Sequence, residues 1–453
     1  MNLVFDQDRL IRYCSIACLS SVVGLLAIWV LPNTIALRHV FLGIGFIAAI
    51  PLILKTQFLS RKSIWELLPL LLLLALFIWV IVHLTFFSLN VDLEFKEFKT
   101  LWARTFLGLI LAVGLSIGLQ LNPKLCPYFF LSLFFISTIN LVAYFYLSYV
   151  GGKFILPADF VTAFVFKKIE AAFFGVISVS IACANLIFLT KKKIHKNSFL
   201  CIFLWFLGII IAIISTILAN TKNGVVACMG LCLLLCLVIS FKLFTNKAHS
   251  VFVGLASVVF IFILLFGGWK IHSKFATQGW DTLIQDVKLS SQVENHSFWK
   301  KNNKTSALVI IDGHLVAPNT YERVSWGAMG LKLIALQPMG YGSINRSFIG
   351  MLNNAGIEHW LDNQTHSGWI DFGLAFGIPG LVIIFATLLL IIYFGFKRGN
   401  QFGLMSAWLA VGFIPFGLIA EISYKHNFEI LMFFVAFAAT SVVGIRGPKS
   451  NKD

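Results

Sequence analysis

Apolar stretches of about 20 residues recur along this chain, each long enough to cross a bilayer as a helix. Lipid offers the backbone no hydrogen-bond partner, so these stretches must satisfy their amides internally, as helices do. With 59% of 453 residues hydrophobic and 12% charged, a soluble fold has too little interior to hide the apolar surface. The expected fold class is an all-α polytopic membrane protein. Twelve spans are predicted, at about 13–31, 37–54, 66–88, 103–121, 128–149, 170–189, 199–219, 225–244, 250–268, 369–396, 402–420 and 428–445. They divide the chain into residues 1–268 with nine transmembrane helices, a large loop domain at 269–368, and residues 369–453 with three more helices and a tail.

A net charge of +16 would suit a nucleic-acid partner, but the positions of the charges argue against one. Lys and Arg gather in short clusters between apolar runs, such as Arg9 with Arg12, Arg61 with Lys62, Lys191 to Lys193, and Lys397 with Arg398. By the positive-inside rule that side is the cytoplasm, and both termini lie there. The insertion 269–368 falls on the other side, the periplasm or exterior of a bacterium; long segments translocate with little regard for charge. No small-x-small cleavage site follows the first apolar run, so it reads as a retained helix. Eight cysteines are present and none lies in the insertion, which speaks against a disulfide framework. Cys228, Cys232 and Cys236 recur at helical spacing and read as buried thiols rather than metal ligands.

Within the insertion, residues 272–306 read as loop and short helix, 321–337 as a helix, and Pro338 to Gly342 as a stop and turn. The insertion closes on His366, and an apolar helix follows without a break. A histidine there sits in water at the membrane face, and the positive end of the following helix favours its neutral form. A neutral imidazole can accept a proton from a hydroxyl. Lys222 stands in a very short turn between the seventh and eighth spans, and Arg323 opens the helix within the insertion. Taken singly, each also fits a bland role: an interfacial ring, a snorkelling lysine, a solvated arginine. Together they place an imidazole and two cations on one side of the membrane, a combination suited to a diphosphate leaving group.

Four further polar residues flank this set. Asp371, five residues past His366, would point roughly 140° away on an ideal helix and makes a poor partner for the ring. Asp362 and Glu421 are candidates to orient the base or a substrate hydroxyl, and Ser367 is a supporting candidate. Gly373, Gly377 and Gly380 form a small-residue stripe that reads as helix packing.

His366-Ser367, nine residues, Gly377, two residues and Gly380 resemble the signature of bacterial O-antigen ligases (WaaL) and the wider O-antigen ligase/polymerase superfamily. Glu322-Arg323 with Trp326, followed by Pro338-x-Gly340-x-Gly342, is similar to a second block of that superfamily. Asn220 to Gly224 falls where these proteins carry a Ser-Arg-Gly-like turn, with Lys222 in the arginine's place. Lysine keeps the charge and loses the bidentate fork. The resemblance implies a GT-C-like membrane glycosyltransferase of the Gram-negative inner membrane, inverting and metal-independent, with no cofactor. Its donor would be a glycan on undecaprenyl diphosphate, its acceptor a sugar hydroxyl of lipid A–core, and its surroundings membrane lipid. His366 would be the general base, and Arg323 and Lys222 would hold the diphosphate.

Two rivals share the donor: an O-antigen polymerase, and a protein O-oligosaccharyltransferase whose acceptor is a Ser or Thr. A rival of another class is a lipid-linked glycan transporter or flippase. It would want ionisable residues within its spans, and few are present here.

Overall fold

The computed structural model describes residues 7–29, 31, 33–55, 63–155, 168–190, 196–245, 283–300, 309–311, 314–316, 318–361, 364–423 and 425–444, with isolated positions between 259 and 270. Among the described residues, eleven helical stretches are long and apolar enough to cross a membrane. They match eleven of the twelve predicted spans. The remaining one, 250–268, lies almost wholly outside the described residues.

The amino-terminal spans are α1 (Gln7–Ile28), α2 (Ile35–Lys55) and α3 (Ile64–Phe86). The fourth span differs from expectation. It starts well before residue 103, as α4 (Val91–Glu97), passes through a π turn (Phe98–Trp102) and continues as α5 (Ala103–Leu121). Asn90 caps it, its side chain accepting from the Leu93 amide at 3.1 Å. The polar run Asp92 to Glu97 masked this first turn in the sequence. The fifth span is broken at Phe134 into α6 (Cys126–Leu133) and α7 (Phe135–Val150).

Next come α8 (Lys168–Thr190), α9 (Lys196–Leu218) and α10 (Lys222–Thr245). Of these, α8 is central: 89% of its apolar window is buried, against 22% for the peripheral α2. In the insertion lie α11 (Leu283–Ser290), a two-stranded antiparallel hairpin of β1 (Val309–Ile311) and β2 (His314–Val316), α12 (Pro318–Leu336) and α13 (Ser347–Asn354). The hairpin was not anticipated. Trp299, Tyr321, Trp326, Phe348 and Leu352 build a second core here, joined by Ile311 and Val316 of the hairpin. The chain closes with α14 (Gly368–Arg398), α15 (Gln401–Ile419) and α16 (Lys425–Val443). α14 packs on α3 and α15, α16 on α5, and α8 on α9, α10 and α15.

The helix α14 is interrupted at Gly377, where φ is 68° and ψ −170°. The break exposes backbone groups that apolar surroundings cannot satisfy, and Pro379 has no N–H to offer Ala375. The loop Pro338 to Gly342 supplies the partners. Tyr341 N donates to Leu374 O at 2.8 Å, Gly342 N to Ala375 O at 2.7 Å, and Ile378 N to Pro338 O at 2.8 Å. Trp79 Nε1 of α3 donates to Phe376 O at 2.9 Å. The loop is held in turn by His83, whose Nε2 lies 3.0 Å from Met339 O while its Nδ1 lies 2.9 Å from Glu94. Gly373-x-x-x-Gly377 is thus not one continuous helix-packing face, as the spacing suggested. Gly377 is the joint, whereas Gly373 faces Ile334 and Leu381, and Gly380 faces Phe376 and Phe372.

Candidate active site

His366 sits at the end of the insertion, two residues before α14 begins at Gly368. Each neighbour of the ring is clamped. Thr365 donates to the buried Asp371 carboxylate twice, from its amide at 3.0 Å and its hydroxyl at 2.6 Å. Gln364 Oε1 accepts from Phe348 N at 3.1 Å, and Gly368 N donates to Ala420 O at 2.9 Å. Between these clamps His366 is forced to φ 61°, a left-handed conformation rare for a residue with a Cβ. Such a residue carries about 1–3 kcal/mol of strain and persists where its surroundings over-determine it, most often at functional sites. Asp371 therefore orders the loop rather than the ring, in line with its position on the helix.

The imidazole stacks on Trp326, with centroids 5.3 Å apart and planes at 27°. Trp326 is fully buried and pinned by its Nε1 to Trp299 O at 2.9 Å, so the platform is rigid. His366 Nδ1 and Glu421 Oε1 are in close contact. A carboxylate only accepts, so Nδ1 carries the hydrogen and the Nε2 lone pair is left for chemistry. The His366 side chain is 23% exposed against 8% for Glu421, so the ring is the more accessible half of the pair. Of the two candidate orienting carboxylates, the structure brings Glu421 to the ring; Asp362 lies outside the described residues. Ser367 is buried with its amide on Thr365 Oγ1 at 3.3 Å, and its hydroxyl makes no bond among the described residues.

Arg323 stands in the first turns of α12, and its Nη1 donates to Ile419 O at 3.2 Å. Asn223, directly after Lys222, gives its side-chain amide to the same carbonyl. Ile419 ends α15 two residues before Glu421, so one carbonyl ties the Lys222 turn, Arg323 and the Glu421 segment together. Arg323 keeps an exposed surface, yet neighbouring protein crowds it. Desolvation lowers the pKa of its guanidinium, against the opposing pull of Glu421 and Glu322. Burial raises the Glu322 carboxyl, while His366 and Arg323 act the other way.

Asn220 turns the chain at φ 50°, Thr221 Oγ1 accepts from Gly224 N at 3.2 Å, and Lys222 opens α10. A cation at a helix amino terminus opposes the dipole, so helix stability does not explain its presence. Lys168, at the start of α8, is close enough to Arg323 to feel its charge. Sequence reading did not single it out, because it sits at the edge of an ordinary apolar run. Nor did it find His83 and Glu94, which support the Pro338 to Gly342 loop and meet only in the folded chain. The cysteines are all free thiols.

The arrangement pairs an oriented imidazole with cations at one end of the helix bundle, beside the mouth of α14. A search of curated proteins found no match. A family model described as O-antigen ligase (Wzy_C) matches residues 207–385, which run from α9 into α14 and contain Lys222, Arg323, His366 and Gly377; Glu421 lies beyond it. With its helical build and eleven membrane-length helices among the described residues, the chain is a multi-pass membrane protein, and over residues 207–385 it is similar to the O-antigen ligase family.

Proposed function

We propose that the protein transfers a glycan from undecaprenyl diphosphate to a sugar hydroxyl of lipid A–core at the periplasmic face of the inner membrane. The observation that carries the reading is His366, held in a strained conformation with Nδ1 on Glu421 and Nε2 open. The acceptor O–H gives its proton to Nε2 as its oxygen attacks the anomeric carbon. The bond from that carbon to the diphosphate oxygen breaks on the opposite face, so the configuration inverts. Undecaprenyl diphosphate leaves with its new charge, which Arg323 and Lys222 neutralise. Glu421 stabilises the imidazolium formed in that step, as a carboxylate behind a catalytic histidine does. The 269–368 insertion serves as the periplasmic domain that presents Arg323 and His366.

Purified protein with lipid-linked glycan and lipid A–core tests this directly, with a second lipid-linked glycan and a Ser/Thr peptide offered alongside. Product on lipid A–core supports the ligase reading. Product only on the glycan or the peptide replaces it with a polymerase or a protein transferase, and movement of lipid across vesicles with no new bond replaces it with a transporter.

Two expectations concern Glu421 and Lys222. Glu421→Gln should lower kcat by about 10²-fold or more with little change in KM, because the amide can hold the wrong tautomer. An unchanged kcat removes the orienting role. Lys222→Ala should cost about 10²- to 10³-fold while Lys222→Arg retains most activity, because charge is what the leaving group requires. Equal loss in both would argue for a steric role. With side-chain cations on the diphosphate, transfer should also survive EDTA; loss restored by added divalent ions would overturn the metal-independent reading.

A further inference from the structure

We propose that one face of α4 and α5 seats the acceptor lipid as an acylated, phosphorylated sugar, with the sugar in an outer polar cavity and an acyl chain in an inner apolar one. The assignment to the acceptor rests on the function proposed above.

The outer cavity, about 460 Å³, is lined by Lys96, Tyr341, Asn345, Arg346 and Asn353. Two cations against the one carboxylate of Glu97, with carboxamides and an aromatic ring, suit a hydroxyl-rich, anionic head group. The inner cavity, about 350 Å³, is walled by Leu25, Leu42 and Phe433 and carries Arg38 and Arg104. Thr100 forms part of both walls. Leu93, Lys96, Glu97 and Thr100 line the outer cavity, and Thr100, Arg104 and Gly108 the inner one. Spacings of three and four residues put them on one helix face. That stripe descends roughly 22 Å, at 1.5 Å per residue, from the outer end of α4 into the bundle. Polar above and apolar below, it has the profile of an amphiphile lying along the membrane normal.

The inner cavity's charged groups are met within the protein. Arg104 gives Nε and Nη2 to Glu429 Oε1, both at 2.7 Å. Arg38 gives Nε to Thr34 Oγ1 at 3.0 Å and Nη2 to Leu31 O at 2.8 Å, with its guanidinium 5.8 Å from the Trp29 ring. His426 Nε2 lies 2.8 Å from Glu170 Oε1, and Glu170 also acts on Arg38, so the cavity's two guanidiniums face two carboxylates. Paired in this way, the arginines are tolerated at the wall, and the apolar remainder of the cavity is left for an acyl chain.

The outer wall is also mechanically tied to the base. Phe348 of α13 is bonded to Gln364, two residues from His366, and Ser347 Oγ donates to Asp371 O at 3.2 Å. The cations assigned to the diphosphate come from α12 and the α9–α10 turn, and neither element lines either cavity. The second lipid of the reaction is therefore the one this face is free to take.

Gly108 makes a clean test. It is buried, yet a Cβ there would meet no atom within 4 Å. Gly108→Leu should plug the inner cavity without displacing packed atoms, and Arg346→Ala should strip the outer one. Both are made in full-length protein carrying His366→Ala, so binding is read without turnover. The probes are a tetra-acylated glucosamine disaccharide phosphate, undecaprenyl phosphate and phosphatidylcholine. Each variant should weaken the acylated sugar phosphate about tenfold, with undecaprenyl phosphate unaffected and phosphatidylcholine weak throughout. Unchanged affinity for the acylated sugar in both variants overturns the site. Loss confined to undecaprenyl phosphate overturns the acceptor assignment, and equally tight phosphatidylcholine overturns the selectivity for a sugar head group. If Gly108→Leu does not fold, Arg346→Ala decides alone. Failure of transfer in the native protein would sink the catalytic reading while leaving these affinities as they are.

Discussion

Replacing His366 by alanine is expected to lower the turnover of glycan transfer by about 10²- to 10⁴-fold, the range that a positioned general base contributes. Binding of the lipid-linked donor should persist, because Arg323 and Lys222 remain. The backbone adds a second readout. His366 is held at φ 61°, and glycine tolerates that conformation without a Cβ penalty. His366→Gly should thus be as inactive as His366→Ala and yet more stable than it, by about 1 kcal/mol. Activity near the native level in either variant ends the base role. Equal melting temperatures would show that the left-handed conformation carries no strain.

Gly377→Ala is expected to damage the fold more than any other single methyl group added along α14. Its φ of 68° disfavours a side chain, and a Cβ would overlap the carbonyl oxygens of Pro338 and Met339. Relief requires the loop to withdraw, which strands the Leu374, Ala375 and Ile378 backbone groups that it satisfies. Strain of about 1–3 kcal/mol at the residue adds to about 1–3 kcal/mol for each buried group left unpaired. The expected result is a sharp drop in melting temperature, or no folded protein in detergent extracts. Gly340→Ala should do the same from the other side of the joint, because its Cβ would press on Ala375 O and Gly377 N. Normal melting in both variants would mean that loop and helix are not interlocked.

Most of the helical frame was legible before any coordinates. Apolar runs report membrane spans because length and hydropathy are local properties of the chain. The breaks within spans were harder to read. Phe134 carries no proline or glycine signal, and the π turn at 98–102 lies in a sequence that an α-helix would also accept. The β-hairpin at 309–316 is too short to show alternation. Glycine stripes mislead for a related reason. A small residue every fourth position suits helix packing, and equally suits a joint where another loop enters.

The sequence by itself determined the chemistry on offer: one imidazole before a late helix, a lysine in a tight turn, an arginine at the head of α12, and too little polarity for any fold outside a membrane. Which carboxylate meets the ring was decided only by tertiary structure. Glu421 reaches His366 from a segment 55 residues away in the chain, positioned by Gly368 N on Ala420 O. The left-handed turn at His366 and the meeting of Pro338 to Gly342 with Gly377 were settled at the same level. Residue type and hydropathy act over a few neighbours, whereas these contacts depend on how helices distant in sequence cross, and no local pattern encodes a crossing.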